Sequence, residues 1–235
     1  MQVTLTDRQQ VAQGTLALWF TPERPLAFTA GQFASFTLPD PAAEGDKGAR
    51  RTFSFASSPN DDALMIATRM TASAFKKALA AAPMGTRLEM MGPTGRFTLH
   101  QDTSRPAVFL TGGIGITPVR SIVEYATQKG LAHRIHVFYS NRTRAQAPFV
   151  ADFRGWAQRN GNLKFVATLT EEAPAEPGFE QGPIDESLLN RHLSDLSGPI
   201  YYVVGPPGMV SAMKALLARL GIDTANVKTE DFIGY

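Results

Sequence analysis

Cysteine is absent from this 235-residue chain. Its absence excludes disulfides, thiolate nucleophiles, thiolate-bound zinc and cysteine-ligated iron–sulfur clusters from these residues. No apolar run approaches the roughly 20 residues that a membrane-spanning helix needs. Residues 1–18 also lack the basic segment and apolar core of a secretory signal. The sequence therefore predicts a cytoplasmic protein without a membrane partner.

The chain also has little excess charge of either sign. Its 23 Lys and Arg against 21 Asp and Glu give a net charge of +2, which offers no support for binding nucleic acid. No metal site is predicted, because the four histidines fall on different elements without metal-ligand spacing: His100, His133, His136 and His192. A composition of 43% hydrophobic and 19% charged residues is that of an ordinary globular protein.

The first hundred residues have the pattern of short strands. Strand patterns separated by turns cover 3–22, 31–38, 51–59, 63–70 and 86–100, the last with a Gly-Pro-Thr-Gly turn inside it. One short helix is expected at 73–82, with Thr71 or Ser73 as its cap. Many short strands at close spacing predict an antiparallel six-stranded β-barrel.

The pattern changes at residues 101–106. Strands are then predicted at 106–113, 133–142, 162–170, 199–205 and 226–235, and helices at 118–130, 149–160, 183–196 and 210–220. Strands alternating with helices indicate parallel βαβ units in a doubly wound sheet. We therefore predict two domains, a barrel over residues 1–101 and an α/β domain over residues 102–235.

Residues 108–120, VFLTGGIGITPVR, describe a strand, a glycine-rich turn and the start of a helix. Gly112, Gly113 and Gly115 permit positive φ or close approach of a ligand, and Pro118 suits the first helical position. The free amides of that helix would attract a phosphate. Pro118 stands where the dinucleotide fingerprint has its third glycine, so a structural turn explains this segment alone equally well.

Two further segments have similar chemistry. A second glycine turn ends the strand in YYVVGPPGMV (201–210), and carboxyl ends of parallel strands share one edge of a sheet. In Arg51-Thr52-Phe53-Ser54, the first and third side chains share one face of a strand. Arginine can take a phosphate by two N–H bonds, although a barrel strand with a solvated arginine is the simpler interpretation of this segment alone.

Together these segments resemble the ferredoxin–NADP reductase superfamily, flavoproteins in which an FAD-binding barrel precedes a nicotinamide-binding domain. RTFS (51–54) resembles the Arg-x-Tyr-Ser flavin motif, and GPTGRF (92–97) the Gly-Pro-x-Gly-x-Phe turn. TGGIGITP (111–118) is similar to the nucleotide loop, and VVGPPGMV (203–210) to the Cys-Gly-Pro-Pro-x-Met segment. The four matches occur in family order over nearly the whole chain. Phe53 replaces the usual tyrosine, and Val204 replaces a frequent cysteine.

The resemblance implies roles for residues at these positions. Arg51, Thr71 and Ser73 would hold the FAD pyrophosphate, with Thr52 on the same strand. Phe53 would lie against the isoalloxazine ring, and either Phe232 or Tyr235 would cover its other face. Ser54 and Glu230 are the catalytic candidates, as groups that tune flavin N5. The implied NAD(P)H site comprises Thr111, Gly112, Gly113, Gly115, Thr117, Pro118, Ser140, Arg142, Gly205, Pro206 and Met209.

The residues after the second strand of the α/β domain bear on the choice of coenzyme. That strand ends Tyr139-Ser140-Asn141-Arg142, with Arg144 close by and no carboxylate. NAD sites usually place an acidic residue there, whereas serine and arginine suit a 2′-phosphate. NADP(H) is therefore favoured over NAD(H), which remains the alternative.

The function implied is that of an FAD-dependent oxidoreductase that takes a hydride from NAD(P)H and passes electrons singly to an acceptor. Because a cysteine-free chain cannot carry a ferredoxin domain, the acceptor is expected to be separate. Ferredoxin, flavodoxin, an oxygenase component and a small oxidant all fit. One alternative is a reductase of free flavin or small oxidants, and another is an FAD-binding electron-transfer or regulatory subunit.

Overall fold

The computed structural model describes residues 1–40, 49–173 and 177–232. In the first half, the elements are β1 (Gln2–Ala12), β2 (Thr15–Pro22), β3 (Phe33–Thr37), β4 (Arg50–Ser54), β5 (Leu64–Arg69), α1 (Ala74–Ala81) and β6 (Arg87–Thr94). The strands pair antiparallel in the order β4-β3-β6-β1-β2-β5. The two edge strands meet through a single bridge between Phe55 and Ile66, which completes the predicted barrel.

Two local features of the barrel can be compared with the prediction. Ser73 caps α1, because its side chain accepts a hydrogen bond from the amide of Lys76 at 3.5 Å. The predicted turn at 92–95 does not end a strand: β6 continues through Gly92 and Pro93 to Thr94, which lies opposite Phe33 of β3. A register shift in this pair accommodates the extra residue. The strand expected at 96–100 does not form.

In the second half, the elements are β7 (Ala107–Gly112), α2 (Ile116–Gln128), β8 (Ile135–Asn141), α3 (Val150–Arg159), β9 (Leu163–Leu169), β10 (Phe179–Gln181), α4 (Glu186–His192), β11 (Ile200–Gly205), α5 (Pro207–Arg219) and β12 (Val227–Asp231). All neighbouring strands pair parallel in the order β10-β9-β8-β7-β11-β12. The predicted doubly wound sheet is confirmed. Strand β10 was not predicted, and α4 is shorter than expected at both ends, since it begins after its cap Asp185 and ends at His192. Within the described ranges, no helix combines the length and apolar character needed to span a membrane.

The two halves pack against each other through apolar side chains. Ala30 and Phe97 join the core around Phe109 and Tyr202. A second cluster sets Ile114 against barrel residues, namely Ala17, Ala56, Met65 and Ala67. The chain passes between the sheets in residues 95–106, which includes the division proposed at residue 101.

One arginine adds polar contacts to this interface. Arg120 of α2 donates to the carbonyl oxygen of Ala56 at 2.7 Å and forms ion pairs with Glu124 (2.6 Å) and Asp152 (2.9 Å). Its guanidinium lies over the rings of Phe149 and Trp156, at 5.2 and 5.1 Å from their centroids. With 13% of its side chain exposed, Arg120 connects the barrel, α2 and α3.

Candidate functional site

A crevice opens where the strand order of the parallel sheet reverses. Strand β7 has β8 on one side and β11 on the other, and ligands of such sheets bind at the carboxyl ends of the strands at this point. A cavity of about 640 Å³ lies there. Of the residues predicted to bind coenzyme, six line this cavity: Gly112, Gly113, Ser140, Arg142, Pro206 and Met209.

Two glycine turns form the floor of the crevice by backbone contact. A Cβ on Gly115 would lie 2.7 Å from both the Cα of Gly205 and the carbonyl oxygen of Val204. A Cβ on Gly112 would collide with the Sδ of Met209. The glycines therefore allow the ends of β7 and β11 to approach each other, which a side chain would prevent.

Three other residues predicted to bind coenzyme lie behind the two glycine turns. Thr117 is 1% exposed, and its hydroxyl donates to the carbonyl oxygen of Ile114 at 3.0 Å. Thr111 is buried within β7. Pro118 is the third residue of α2, because a 3-10 turn at Gly113–Gly115 precedes the helix. It is still tolerated there, since amides of the first turn lack helical partners. The expectation of Pro118 at the first helical position was wrong.

An acidic residue that the sequence prediction missed faces the predicted 2′-phosphate site. Arg142 Nε lies 3.4 Å from Glu171 Oε1, with the two side chains 71% and 59% exposed. The amide of Glu171 donates to the carbonyl oxygen of Arg142 at 2.9 Å, which fixes the two residues side by side. Glu171 follows β9, the parallel neighbour of β8, and only this pairing brings it to the crevice.

The barrel supplies a further wall of the same cavity. Arg69, the last residue of β5, lines it and donates to the carbonyl oxygen of Gln146 at 3.1 Å. No sequence motif marks Arg69. The cavity is thus bounded by both halves of the molecule.

Cationic groups gather where the flavin pyrophosphate was predicted. Arg51 lies over the ring of Phe75 at 5.6 Å from its centroid. Lys76 is buried in the first turn of α1, and its Nζ donates to the carbonyl oxygen of Arg69 at 2.9 Å. Burial, and then the charge of Arg51, lowers the pKa of Lys76 to about 8. Two cations and the Ser73-capped start of α1 fit a pyrophosphate; Lys76 was not predicted.

The rest of β4 divides between two faces. Arg51 and Phe53 share one face as expected, but the ring of Phe53 is 8% exposed and packs in the barrel core, 5.9 Å from Phe36 and 6.0 Å from Phe75. Its contact with a flavin stays a prediction. On the other face, the hydroxyl oxygens of Thr52 and Ser35 lie 3.0 Å apart.

The second catalytic candidate lies in a cleft beside the barrel. Glu230 lines a cavity of about 430 Å³ with Phe33, Phe97 and Lys228. Its Oε2 is buried without a hydrogen-bond partner, and burial raises the pKa of this carboxyl to about 7. Because Ser54 lies opposite Phe33 in the barrel sheet, Ser54 and Glu230 both adjoin Phe33. An unsatisfied buried oxygen in an open cleft fits a polar ligand group.

Of the two terminal aromatics, only Phe232 lies in the described part of the chain. Its amide donates to the carbonyl oxygen of Gly205 at 3.1 Å, and its side chain packs against the apolar clusters that contain Ile114 and Tyr202. Phe232 therefore lies at the junction of the two halves. Tyr235 lies outside the described residues, so the choice between them stays open.

The buried carboxyl of Glu230 predicts a pH effect on stability. Its folded-state pKa of about 7 exceeds the ordinary value of 4.5, so the folded state binds more protons. Stability is therefore lost as pH rises from about 4.5 through about 7. We expect Glu230→Gln to remove about 1–3 kcal/mol of this loss, measured by urea unfolding from pH 4.5 to 8.5.

Glu124 provides the background for that measurement. Its pKa is also raised to about 7, first by burial, and it titrates in the same window in both proteins. The difference between wild type and Glu230→Gln therefore isolates Glu230. Parallel stability curves for the two proteins would contradict the assignment.

Comparison with known proteins agrees with this geometry. Residues 109–215 match the oxidoreductase NAD-binding domain family. The chain is 28% identical over 211 residues to the ferredoxin–NAD(P)(+) reductase component of the naphthalene 1,2-dioxygenase/salicylate 5-hydroxylase systems of Ralstonia sp., covering 89% of this chain and 62% of that protein. It is 27% identical over 214 residues to ferredoxin–NADP reductase B of Sorangium cellulosum, covering 87% and 85%.

A solved structure shows the same arrangement of two domains. The ferredoxin NADP+ reductase of Neisseria gonorrhoeae, solved with bound FAD and NADP, matches with a TM-score of 0.83 at 17% identity over 98% of both chains. The matched domain family, the reductase relatives and this shared fold agree in what the chain resembles. Over nearly its whole length the chain is therefore similar to ferredoxin–NADP reductases in sequence and in fold.

Proposed function

We propose that this protein is an FAD-dependent oxidoreductase that takes a hydride from NAD(P)H and passes electrons one at a time to a separate acceptor. One observation carries the proposal: the Glu230 cleft lies beside the barrel at the same end of the parallel sheet as the nucleotide crevice. Glu230 lies opposite Val204 in the register of β12 with β11, one residue before Gly205, whose turn leads into Pro206 and Met209 at the crevice. A nicotinamide bound at that turn can therefore reach a flavin held by the barrel.

The residues of the chain supply binding and orientation in this scheme. Arg51, Lys76 and the start of α1 hold the pyrophosphate of FAD, and the paired glycine turns admit the coenzyme. A bound flavin would accept the two electrons of a hydride together and allow them to leave one at a time. Glu230, with its raised pKa, holds a proton near neutral pH at the cleft.

The direct test is anaerobic mixing of the FAD-loaded protein with NADPH or NADH in a stopped-flow spectrometer. We expect rapid bleaching of the flavin absorption by at least one coenzyme. A protein that takes up no FAD, or whose flavin is not reduced by either coenzyme, would refute the proposal.

Arg51→Ala provides a test of the flavin site itself. Loss of charge-assisted bonds to phosphate, about 1.5–3 kcal/mol, is expected to weaken FAD binding about 10- to 100-fold with the fold intact. The FAD dissociation constant, followed by flavin fluorescence, measures the effect. Arg50→Ala is the matched control, because its Nε donates to Thr37 Oγ1 at 3.2 Å on the exposed barrel surface. Equal FAD binding by both variants would show that Arg51 is misassigned.

We propose NADP(H) as the preferred coenzyme, on the support of Ser140 and Arg142 at the crevice. Arg142→Ala is expected to lower kcat/KM for NADPH about 10-fold or more, and for NADH less than about threefold. Glu171→Gln is expected to raise kcat/KM for NADPH up to about fivefold, because an exposed ion pair is worth at most about 1 kcal/mol. Steady-state assays with ferricyanide as acceptor give these values.

The control for the coenzyme variants is Arg159→Ala, an exposed arginine in the last turn of α3. It is expected to leave both coenzymes unaffected. A clear preference of the wild type for NADH, or equal losses for both coenzymes in Arg142→Ala, would count against a 2′-phosphate site.

The acceptor is part of the proposal. The relative from Ralstonia is named as the reductase component of dioxygenase and hydroxylase systems, and the one from Sorangium as a ferredoxin reductase. The chain spans 62% of the length of the former. The Glu230 cleft is bordered by Arg96 and Lys228, and cations favour an acidic partner. We therefore propose a small redox protein, ferredoxin or an oxygenase component, acting in the cytoplasm.

A further inference from the structure

A second large cavity lies at the opposite edge of the parallel sheet. It has a volume of about 740 Å³ and borders the amino ends of β7, β8, β9 and β11. The coenzyme crevice lies at the carboxyl ends of the same strands. Because β7 has six residues and each adds about 3.3 Å, the two cavities are about 20 Å apart.

The walls of this cavity, which we name the amino-edge groove, carry hydrogen-bond donors and positive charge. Its cationic side chains are Arg105, Arg134, Lys164, Arg191 and, when protonated, His192. Neutral donors lie between them, including the amides of Asn162 and Asn190. These cations and hydrogen-bond donors suit a ligand that carries several acceptor oxygens.

Little negative charge opposes these cations. Among the described residues that line the groove, Asp195 is the one carboxylate, and it already accepts bonds from Ser197 and the amide of Gly198. Glu180, outside the lining, pairs with Arg191 and His192 at 2.5 Å. The excess of positive charge is therefore local to the groove, since the whole chain carries only +2.

The charges also act on one histidine in the groove wall. Burial, followed by the charges of Lys164, Arg134 and His192, lowers the pKa of His136 to about 4. Lys164 and Arg134, which both line the groove, are thus close enough to His136 to act on its charge.

Arg105 gives the groove a fixed side. Its guanidinium donates to the carbonyl oxygens of Gly198 (2.8 Å) and Pro199 (3.1 Å) and to Asn226 Oδ1 (3.1 Å). These bonds hold the charge in place, so a ligand does not have to order this side chain. Arg134 is also anchored, to the carbonyl oxygen of Ser104 at 3.1 Å. Preorganised charges reduce the entropic cost of binding.

We propose that the amino-edge groove binds a small, multiply charged oxyanion, a ligand with two or more phosphate or carboxylate groups. Its volume falls in the range of about 300–1,000 Å³ usual for small-molecule sites. Several cations around one concave space match several negative groups on one ligand. The site is independent of the proposed redox function and separate from the coenzyme crevice.

The test is isothermal titration of the FAD-loaded protein with inorganic pyrophosphate or citrate at constant ionic strength. We expect one-to-one binding of at least one of them, weakened about tenfold or more in Arg134→Gln/Lys164→Gln, since each lost charged bond is worth about 1.5–3 kcal/mol. Lys214→Gln/Arg219→Gln is the control, because it removes the same charge from the exposed surface of α5.

Two further measurements localise the effect. Arg142→Ala, in the coenzyme crevice, is expected to bind the anion as the wild type does. If the double variant fails to fold, the same titration is made with Lys164→Gln alone. Reduction of the flavin by NADPH is expected to stay within about twofold in Arg134→Gln/Lys164→Gln. The proposal is overturned by an absence of binding to both anions, by equal loss in the charge-matched control, or by loss in Arg142→Ala alone.

Discussion

Replacing Gly115 by alanine is expected to lower the free energy of unfolding by about 2–3 kcal/mol and to weaken coenzyme binding about 100-fold. The new Cβ would meet three backbone atoms, Cα and N of Gly205 at 2.7 and 2.9 Å and the carbonyl oxygen of Val204 at 2.7 Å. Backbone cannot rotate away as a side chain can. The end of β11 must therefore shift, and with it the turn that lines the crevice.

Urea unfolding and titration with NADP+ measure the two effects. Gly155→Ala is the matched control, since its Cβ would meet nothing within 4 Å in the interior of α3, and it is expected to stabilise by about 0.5–1 kcal/mol. Gly112→Ala is an intermediate case, because the atom in its way is the flexible end of Met209. If Gly115→Ala changes the free energy of unfolding and the affinity for NADP+ no more than Gly155→Ala does, the close approach of the glycine turns is not required.

Arg120→Ala is expected to destabilise the protein by about 3 kcal/mol, because it leaves two partly buried carboxylates without their cation. It also removes the bond to Ala56 that joins α2 to the barrel and the contacts with two aromatic rings. Burial already raises the pKa of Glu124 to about 7, against the effect of Arg120. Without Arg120 that pKa rises further, so the variant loses more stability than wild type as pH increases.

The two tryptophans of the chain allow each half to be followed in the same experiment. Trp19 lies in β2 of the barrel, and Trp156 lies in α3 beside Arg120. Urea unfolding of the Trp19→Phe and Trp156→Phe backgrounds reports on the two halves separately. Arg120→Lys should fall between wild type and alanine, and Arg219→Ala, exposed on α5, should lie within about 0.5 kcal/mol of wild type. A loss below about 1 kcal/mol in Arg120→Ala would contradict the role assigned to it.

The alternation of apolar runs and helices was enough to predict the fold. Residues close in sequence decide where strands and helices begin and end. Glycine turns end β7 and β11, and Ser73 and Asp185 cap α1 and α4. The crevice followed from these signals, because parallel strands place their carboxyl ends together whatever their side chains are. Its glycines could therefore be named from sequence.

The residues missed are those whose role depends on tertiary contact. Glu171 reaches Arg142 only because β9 pairs with β8, and Arg69 reaches the crevice only because the barrel packs beside it. Lys76 joins the predicted pyrophosphate site only because α1 packs so that its side chain is buried near Arg51. Strand periodicity gave the face shared by Arg51 and Phe53 but could not show that this face is the barrel interior. Pro118 is the third residue of α2 and not the first, because a 3-10 turn at Gly113–Gly115 precedes the helix.

The small residues at the junction of the halves have a consequence for how turnover proceeds. The barrel can approach Ile114 closely because Ala17, Ala56 and Ala67 have small side chains. Arg120 adds a hydrogen bond across the same interface. This interface combines packed apolar groups with a buried ion pair, and such an interface resists hinge motion between the two halves. If the coenzyme binds as proposed, it therefore enters a crevice that is already formed, and we expect no hinge motion between the two halves to limit turnover.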